Sequence, residues 1–584
     1  MSNLEQLQQW LIKNNIDAFI LIRTDEFLSE FIAPYAERLN WISNFSGSAG
    51  KAIIMQTTAY IFVDGRYTVQ VQEEVNMHNF NILPLKDFHK CLENNLKKNN
   101  LVGIDPNHHT KKDIESIKKI TNQFDVKIQF LESNPIDLLW KNQPIKPNSK
   151  AFQHDLQYCG KSIEKKISQV KDILQTNQCD YYVFTALDSI AWLLNLRGND
   201  ISYTPLNLAY IIITPNKKIE LFINADKILD VKINLEKFCN FHLFESIHHF
   251  IKKIPSNVII GIDERKTPFF FEKVFREHSL KFKYFEDPCT YPKAQKNSVE
   301  LQGARNANIR DGISITKFLY WLKNEININK NDEINAAQKL FSLRKNNDLF
   351  YSLSFETISA VNQHAALPHY RVSKKSNLQF KENSIYLVDS GAQYLDGTTD
   401  ITRTVILGTP TKEQKDRFTR VLKGHIAIST CDFKQKTKGS FLDPLARKYL
   451  QEIGCDYEHG TGHGIGSFLS VHEGPQKIAK NQGLSEGDIK EGMILSNEPG
   501  FYKEGEYGIR IENLIIVKRK SQTLLNFEVI SWAPIDVDLI EFSLLTYDEI
   551  KWINWYHQEV FNKLSDKLNN KEKTWLFKVT QPIS

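Results

Sequence analysis

Leu4, Leu7, Trp10 and Leu11 recur at helical spacing through the opening MSNLEQLQQWLIKN, with Glu and Gln between them, and predict an amphipathic helix. The apolar run Ile16–Ile22 predicts a strand. Beyond it come WISNFSGSAG (Trp41–Gly50) and two strand-like stretches, Ala52–Met55 and Ala59–Asp64. The same order of features returns later: Cys179–Thr185 is apolar, Trp192–Gly198 reads WLLNLRG, and Ala209–Thr214 and Ile219–Ile223 predict another strand pair. Each copy passes from a strand through Trp-x-x-Asn-Phe/Leu-x-Gly into two strands, so the first half is expected to hold a duplicated α/β domain.

Two joints are legible. Asn134–Ser149, with Pro135, Pro144 and Pro147, reads as a linker or exposed crossover. Pro288–Lys296 precedes Val299–Leu322, where Ile309, Ile313, Ile315, Phe318 and Leu319 predict a long amphipathic helix. At the far end, Trp552, Trp555, Tyr556 and Phe561 stand at near-helical spacing within Leu545–Ser584, which is expected to form helices packed on the body. At 584 residues the chain exceeds what one core supports, so several domains are expected.

Composition narrows the classes. The chain is 41% hydrophobic and 24% charged, which excludes a disordered or collagen-like protein. Its formal charge of +5 is small, with both signs interspersed, so nucleic acid is not an expected partner. No apolar run reaches the length of a membrane span, and the first residues lack the basic start and unbroken apolar stretch of a signal peptide. Seven cysteines, an odd number without any CxxC, suit the reduced thiols of a cytoplasmic protein.

The chemistry concentrates between His364 and Glu512. In IYLVDSGAQYLDGTTDITRTVIL (Ile385–Leu407) two β-rich runs flank a turn at Asp396–Gly397. Asp389 ends the apolar part of the first run and Asp400 opens the second, so a hairpin can bring both carboxylates to one end of adjacent strands. Alone, that pair reads equally as strand-end acids facing water or as acids neutralised by a cation. HGTGHGIG places His459 and His463 four apart, but Gly460, Gly462, Gly464 and Gly466 argue against a helix and suit a backbone passing close to a ligand or metal. VHEGP adds His472. In ILSNEPGFY, Glu498 precedes Pro499–Gly500 and is expected to end a strand at a turn. In GIRIENLIIV, alternation puts Arg510 and Glu512 on one face of one strand, where a metal could hold Glu512 while Arg510 offsets surplus negative charge. Four carboxylates with an imidazole suit two hard-to-borderline divalent ions sharing bridging carboxylates, and fit a Cys-rich structural zinc site poorly. Such a pair leaves room for a bridging hydroxide, so the residues point to a dinuclear metallohydrolase.

DSGAQYLDGTTDITRT, HGTGHGIGSFLSVHEGP, NEPGFY and GIRIEN resemble the metal-site signatures of the pita-bread metallopeptidases. More narrowly, together with NFSGSAG, DGRYTVQ, WLLNLRGND, VLKGHIA and the ending TQPIS, they resemble the long, three-domain cytosolic Xaa-Pro aminopeptidases. The resemblance implies an α/β (α+β) protein. Two creatinase-type N-terminal α/β domains (1–143 and 144–295) would precede a pita-bread catalytic domain with a C-terminal helical extension (296–584). It implies hydrolysis of the N-terminal Xaa-Pro bond of peptides with proline second, by a hydroxide bridging two metals. Asp389 would bind one metal, Asp400 and Glu512 would bridge both, and His463 and Glu498 would complete the other. His459 and His472 would contact substrate and stabilise the oxyanion, and His369 would help shape the substrate site. Glu498 would also carry the proton to the leaving proline nitrogen. The family's usual metal is manganese, with zinc or cobalt compatible with the ligand types, and its long members are commonly homodimers. The alternatives are a prolidase-type dipeptidase with the same metal site and a non-catalytic pita-bread binding module.

Overall fold

The opening helix spans Asn3–Lys13 and buries Leu4, Leu7 and Leu11. Its start is fixed by a reciprocal cap, in which the Ser2 hydroxyl accepts from Glu5 N while Glu5 Oε2 accepts from Ser2 N. The computed structural model describes residues 1–214, 216–328, 330–480 and 487–584. They divide into two units, Met1–His154 with Ser162–Cys289, and Asp155–Lys161 with Thr290–Ser584.

The first unit contains two six-stranded sheets built on one plan. Counting the strands that form each sheet in chain order, both sheets run 4-3-2-1-5-6. In both, strand 2 lies antiparallel to strands 1 and 3, and the pairs 3–4, 1–5 and 5–6 are parallel. The duplication expected from the sequence is therefore present. Its first strands are Ala18–Ile22 and Tyr181–Phe184, each followed by an antiparallel pair. The shared Trp-x-x-Asn has a backbone cause. Asn44 leaves the helix Arg38–Ser43 at φ 63°, and Asn195 follows the helix Leu187–Leu193 at φ 46°. Asparagine tolerates this left-handed conformation, which stops the helix and turns the chain. Between the two sheets, the short helix Pro135–Leu139 gives way to chain without helix or strand as far as Phe152–Gln153.

The main part of the second unit opens with a short helix, Thr290–Ala294, and a long one, Ser298–Asn324, capped by Asn297 and Glu300. A three-stranded antiparallel sheet places Ser384–Ser390 between Ile358–Val361 and Ile401–Leu407. A six-stranded sheet carries Ile494–Asn497 between Asn513–Arg519 and Gly462–Gly464. The terminal helices, Tyr547–Leu564 and Asn570–Val579, bury Trp552, Tyr556 and Leu576, whereas Trp555 is exposed. The buried Arg403 joins this end of the chain to the sheets, donating to Tyr556 Oη at 2.7 Å and to Glu512 O at 2.7 Å.

Two local expectations need correction. The tight turn runs Tyr394–Gly397 and contains Asp396–Gly397 as expected, with Leu395 and Asp396 at its centre, but the hairpin is not continuous and is interrupted at Gly391. A Cβ on Gly391 would stand 1.9 Å from Thr399 O, so glycine is required where the two backbones meet. GIRIEN is also not one strand: Tyr507–Arg510 pairs with Gly500–Lys503, and Asn513–Arg519 begins a different sheet, leaving Glu512 in the passage between them. No disulfide joins any of the seven cysteines, and among the described residues no helix is long and apolar enough to cross a membrane.

Candidate metal centre

Register brings the acids together. Asp389 pairs with Thr402 near the end of the Ser384–Ser390 strand, and Asp400 lies two residues before Thr402. Glu512 N donates to Thr402 O at 3.2 Å, and the Thr402 hydroxyl donates to Glu512 Oε2 at 2.7 Å. Glu498 follows the strand Ile494–Asn497, with its N–H donating to Thr461 O at 2.8 Å. His463 sits in the neighbouring strand Gly462–Gly464 and not in a helix, as the glycine pattern predicted. The reason for one of those glycines differs from the expected approach to a ligand: a Cβ on Gly462 would come within 2.0 Å of Ser496 O, so what approaches is the neighbouring strand.

The result is a tight cluster. One ligand atom from each of Asp400, His463 and Glu512 lies within 4.8 Å of the others. His463 Nε2 is 3.5 Å from Asp400 Oδ2 and 3.6 Å from Glu498 Oε1. Its Nδ1 is 3.0 Å from Gly464 O, a contact that places a proton on Nδ1 and leaves Nε2 facing the carboxylates, where a cation would take the place of its proton. Asp389 is held by Arg510, whose Nη2 donates to Oδ2 at 2.7 Å.

Electrostatics test whether cations fit. Burial, then the neighbouring carboxylates Asp400, Asp389 and Glu498, push Glu512 well above the ordinary carboxylate range. Burial raises Asp389 to about 6 against the opposing pull of Arg510. Burial raises Glu498 to about 7, although His463 and Arg510 lower it. Burial pulls His463 down, but its hydrogen bond to Asp400 and the charge of Glu498 carry it up to about 9. These groups thus resist the buried negative charge that their own clustering creates. Asp389 Oδ1 and Asp400 Oδ1 are moreover buried without any hydrogen bond. Orphaned carboxylate oxygens in a ring of acids and one imidazole fit divalent cations.

The expected histidines relate to this cluster by different routes. The rings of His472 and His463 stand 4.3 Å apart, edge to face. His459 is linked indirectly: Arg510 Nη1 donates to Tyr502 Oη at 2.6 Å, and Tyr502 Oη lies 2.7 Å from His459 Nε2. Since arginine only donates, the tyrosine proton is directed to the imidazole, and His459 Nδ1 donates to Gly460 O at 2.8 Å. His369 is half-buried and follows Pro368, whose carbonyl accepts from Arg510 at 3.2 Å. Tyr502 and Thr402 were not singled out by sequence reasoning. Tyr502 lies inside NEPGFY and Thr402 inside DITRT, but only long-range pairing reveals their partners.

The helix Lys412–Thr430 adds another unforeseen residue, the fully buried His425. Its Nδ1 donates to Asn497 O at 3.0 Å and its Nε2 accepts from Asn513 Nδ2 at 3.2 Å, so it ties the residues adjoining Glu498 and Glu512.

Comparison with known proteins agrees with this geometry. Residues 3–129 and 142–300 match creatinase/prolidase N-terminal domains, 302–519 match metallopeptidase family M24, and 523–583 match the C-terminal region of peptidase M24. The chain is 37% identical to a probable Xaa-Pro aminopeptidase P of Coprinopsis cinerea, over 99% of this chain and 98% of the relative. It is 38% identical to a probable Xaa-Pro aminopeptidase P of Paracoccidioides brasiliensis, with the same coverage of 99% and 98%. The crystal structure of X-prolyl aminopeptidase from Caenorhabditis elegans, described as a cytosolic enzyme with a di-nuclear active site, matches with a TM-score of 0.93. That match has 32% identity and covers 100% of this chain and 99% of the other. An Xaa-Pro dipeptidase from Bacillus anthracis shares the fold at a TM-score of 0.53 and 22% identity, over 64% of this chain and 99% of its own. The expected architecture of two creatinase-type domains before a pita-bread catalytic domain is borne out. From matches that run the length of the chain, and from the domains that compose it, this protein belongs to the Xaa-Pro aminopeptidase P family of M24 metallopeptidases.

Proposed function

We propose that the buried acid–histidine cluster is a dinuclear centre that hydrolyses the N-terminal Xaa-Pro bond of peptides. Two divalent ions would be held by these residues, Asp389 serving one, His463 and Glu498 the other, and Asp400 and Glu512 both. The orphaned oxygens of Asp389 and Asp400, buried among two further carboxylates, carry this reading. Bound there, the ions would polarise the scissile carbonyl and ionise a water molecule near neutral pH. Manganese is the expected metal, with zinc or cobalt compatible with the same ligands.

The chain's own groups have distinct tasks. Glu498, placed beside His463, would take a proton from the attacking water and return it to the proline nitrogen, which leaves only when protonated. His459 reaches the substrate with its tautomer set by Tyr502 and Gly460, and His472 stands beside His463 to stabilise charge on the carbonyl oxygen. His369 shapes the site from the 362–377 segment. Arg510 neutralises part of the charge on Asp389, and so limits the repulsion that burial imposes.

The substrates are peptides with proline second, in preference to the dipeptides of a prolidase. A dipeptidase chain is matched over 64% of this one, whereas the aminopeptidases are matched throughout. The reading includes a cytoplasmic homodimer and domains at 1–143, 144–295 and 296–584. Asp400→Asn and Glu498→Gln test it. Both should abolish hydrolysis with the circular dichroism spectrum preserved, and Asp400→Asn should also lose bound metal. An active Asp400→Asn enzyme with full metal content would overturn the two-ion assignment.

A further inference from the structure

Glu333 is fully buried at the first position of the helix Glu333–Lys345, and four donors converge on its carboxylate. Val361 N donates to Oε1 at 2.8 Å and Leu378 N donates to Oε2 at 2.9 Å. Those two amides flank the 362–377 segment. From inside the segment, Tyr370 Oη donates to Oε2 at 2.9 Å, and His364 Nδ1 lies 2.8 Å from Oε1 and 3.0 Å from Oε2. The rings of His364 and Tyr370 stack with centroids 4.3 Å apart. Both stems and two interior residues of one loop are therefore gathered on a single side chain.

The chemistry specifies a carboxylate. Two backbone N–H groups, a phenol O–H and an imidazole N–H all need acceptors, and a glutamate offers two acceptor oxygens where a glutamine offers one. A buried carboxylate without them would be costly, and the helix N-terminus adds favourable potential. The loop closed in this way contains Pro368, whose carbonyl receives Arg510, and His369 next to Tyr370. Its first stem ends the strand Ile358–Val361, in which Ile358 pairs with Asp389. The clasp therefore connects at one end to the acid cluster and at the other to the residue beside His369.

We propose that Glu333 is a positioning residue for His369. By closing the 362–377 segment onto one carboxylate, it sets where His369 stands against an Xaa-Pro substrate. This rests on the proposed role of His369 in the substrate site.

A double-mutant cycle with hydrogen exchange tests it on the full-length, metal-loaded protein. Tyr370→Phe removes one donor while keeping the ring stack, and should lower kcat/KM for Arg-Pro-Pro by about tenfold, mostly through KM, at unchanged metal content. In a His369→Ala background the same substitution should cost nothing further, because the residue it positions is gone. Amides of the 362–377 segment should exchange faster in Tyr370→Phe, and faster still in Glu333→Gln if that variant folds. An equal loss in both backgrounds, or unchanged exchange in Tyr370→Phe, would overturn the proposal. A wild-type protein without Xaa-Pro activity would instead contradict the functional reading, and exchange would still decide whether Glu333 closes the loop.

Discussion

Tyr502 links the metal cluster to its outlying histidine through one oxygen, which takes a hydrogen bond from Arg510 and gives one to His459. Tyr502→Phe should lower kcat by about ten- to a hundredfold, with bound metal unchanged, because the ring keeps its packing while His459 loses its orientation. Steady-state kinetics beside metal analysis would check this; an unaltered kcat would mean that His459 is held by other contacts. The acids and histidines of the centre were legible in the chain because metal chemistry admits few residue types and the motifs concentrate them. Tyr502, Thr402 and His425 were not, since tyrosine, threonine and buried histidine serve equally in ordinary cores. Their partners lie 8 to 110 residues away in the chain, where no local pattern reaches.

Strands and helices supply the distances. The helix Lys412–Thr430 bears His425, which burial and then Arg403 hold down to about 3 from an ordinary 6.5. For a histidine whose folded pKa is depressed, the folded state is favoured above the unfolded pKa and loses that advantage as pH falls below it. From pH 6.5 toward 3, stability should therefore drop. At pH 5 this one group accounts for about 2 kcal/mol. Urea unfolding at pH 7 and pH 5 measures the slope, and His425→Gln should flatten it. Gly462→Ala would push the His463 strand off Ser496 O, and should weaken metal binding by about tenfold or more in a chelator competition. Element boundaries followed the periodicity closely in the long helix, expected over Val299–Leu322 and found over Ser298–Asn324. They failed at GIRIEN for a physical reason. Ile509, Arg510, Ile511 and Glu512 are all buried, so alternation there distinguishes two buried sides rather than core from solvent, and the same pattern suits one strand or two in succession.

Across the chain, the duplication read from two short motifs extends to complete sheets with identical strand order and pairing sense. The matching residues are few because only the turn-forming asparagines and their surroundings are constrained, while apolar strands tolerate exchange. Three buried carboxylates and a part-buried fourth, without cations, destabilise the fold that clusters them, so stripping metal should lower the melting temperature. At saturating metal, about a hundred times Kd, the linkage amounts to about 3 kcal/mol. The decisive experiment adds Mn²⁺ back to chelator-stripped protein while two peptides are assayed side by side, Arg-Pro-Pro and Gly-Pro. Release of arginine from the tripeptide should appear as the second ion binds, with little cleavage of the dipeptide. Preference for Gly-Pro would mean a prolidase, and binding of two ions without cleavage of either peptide would contradict the catalytic reading.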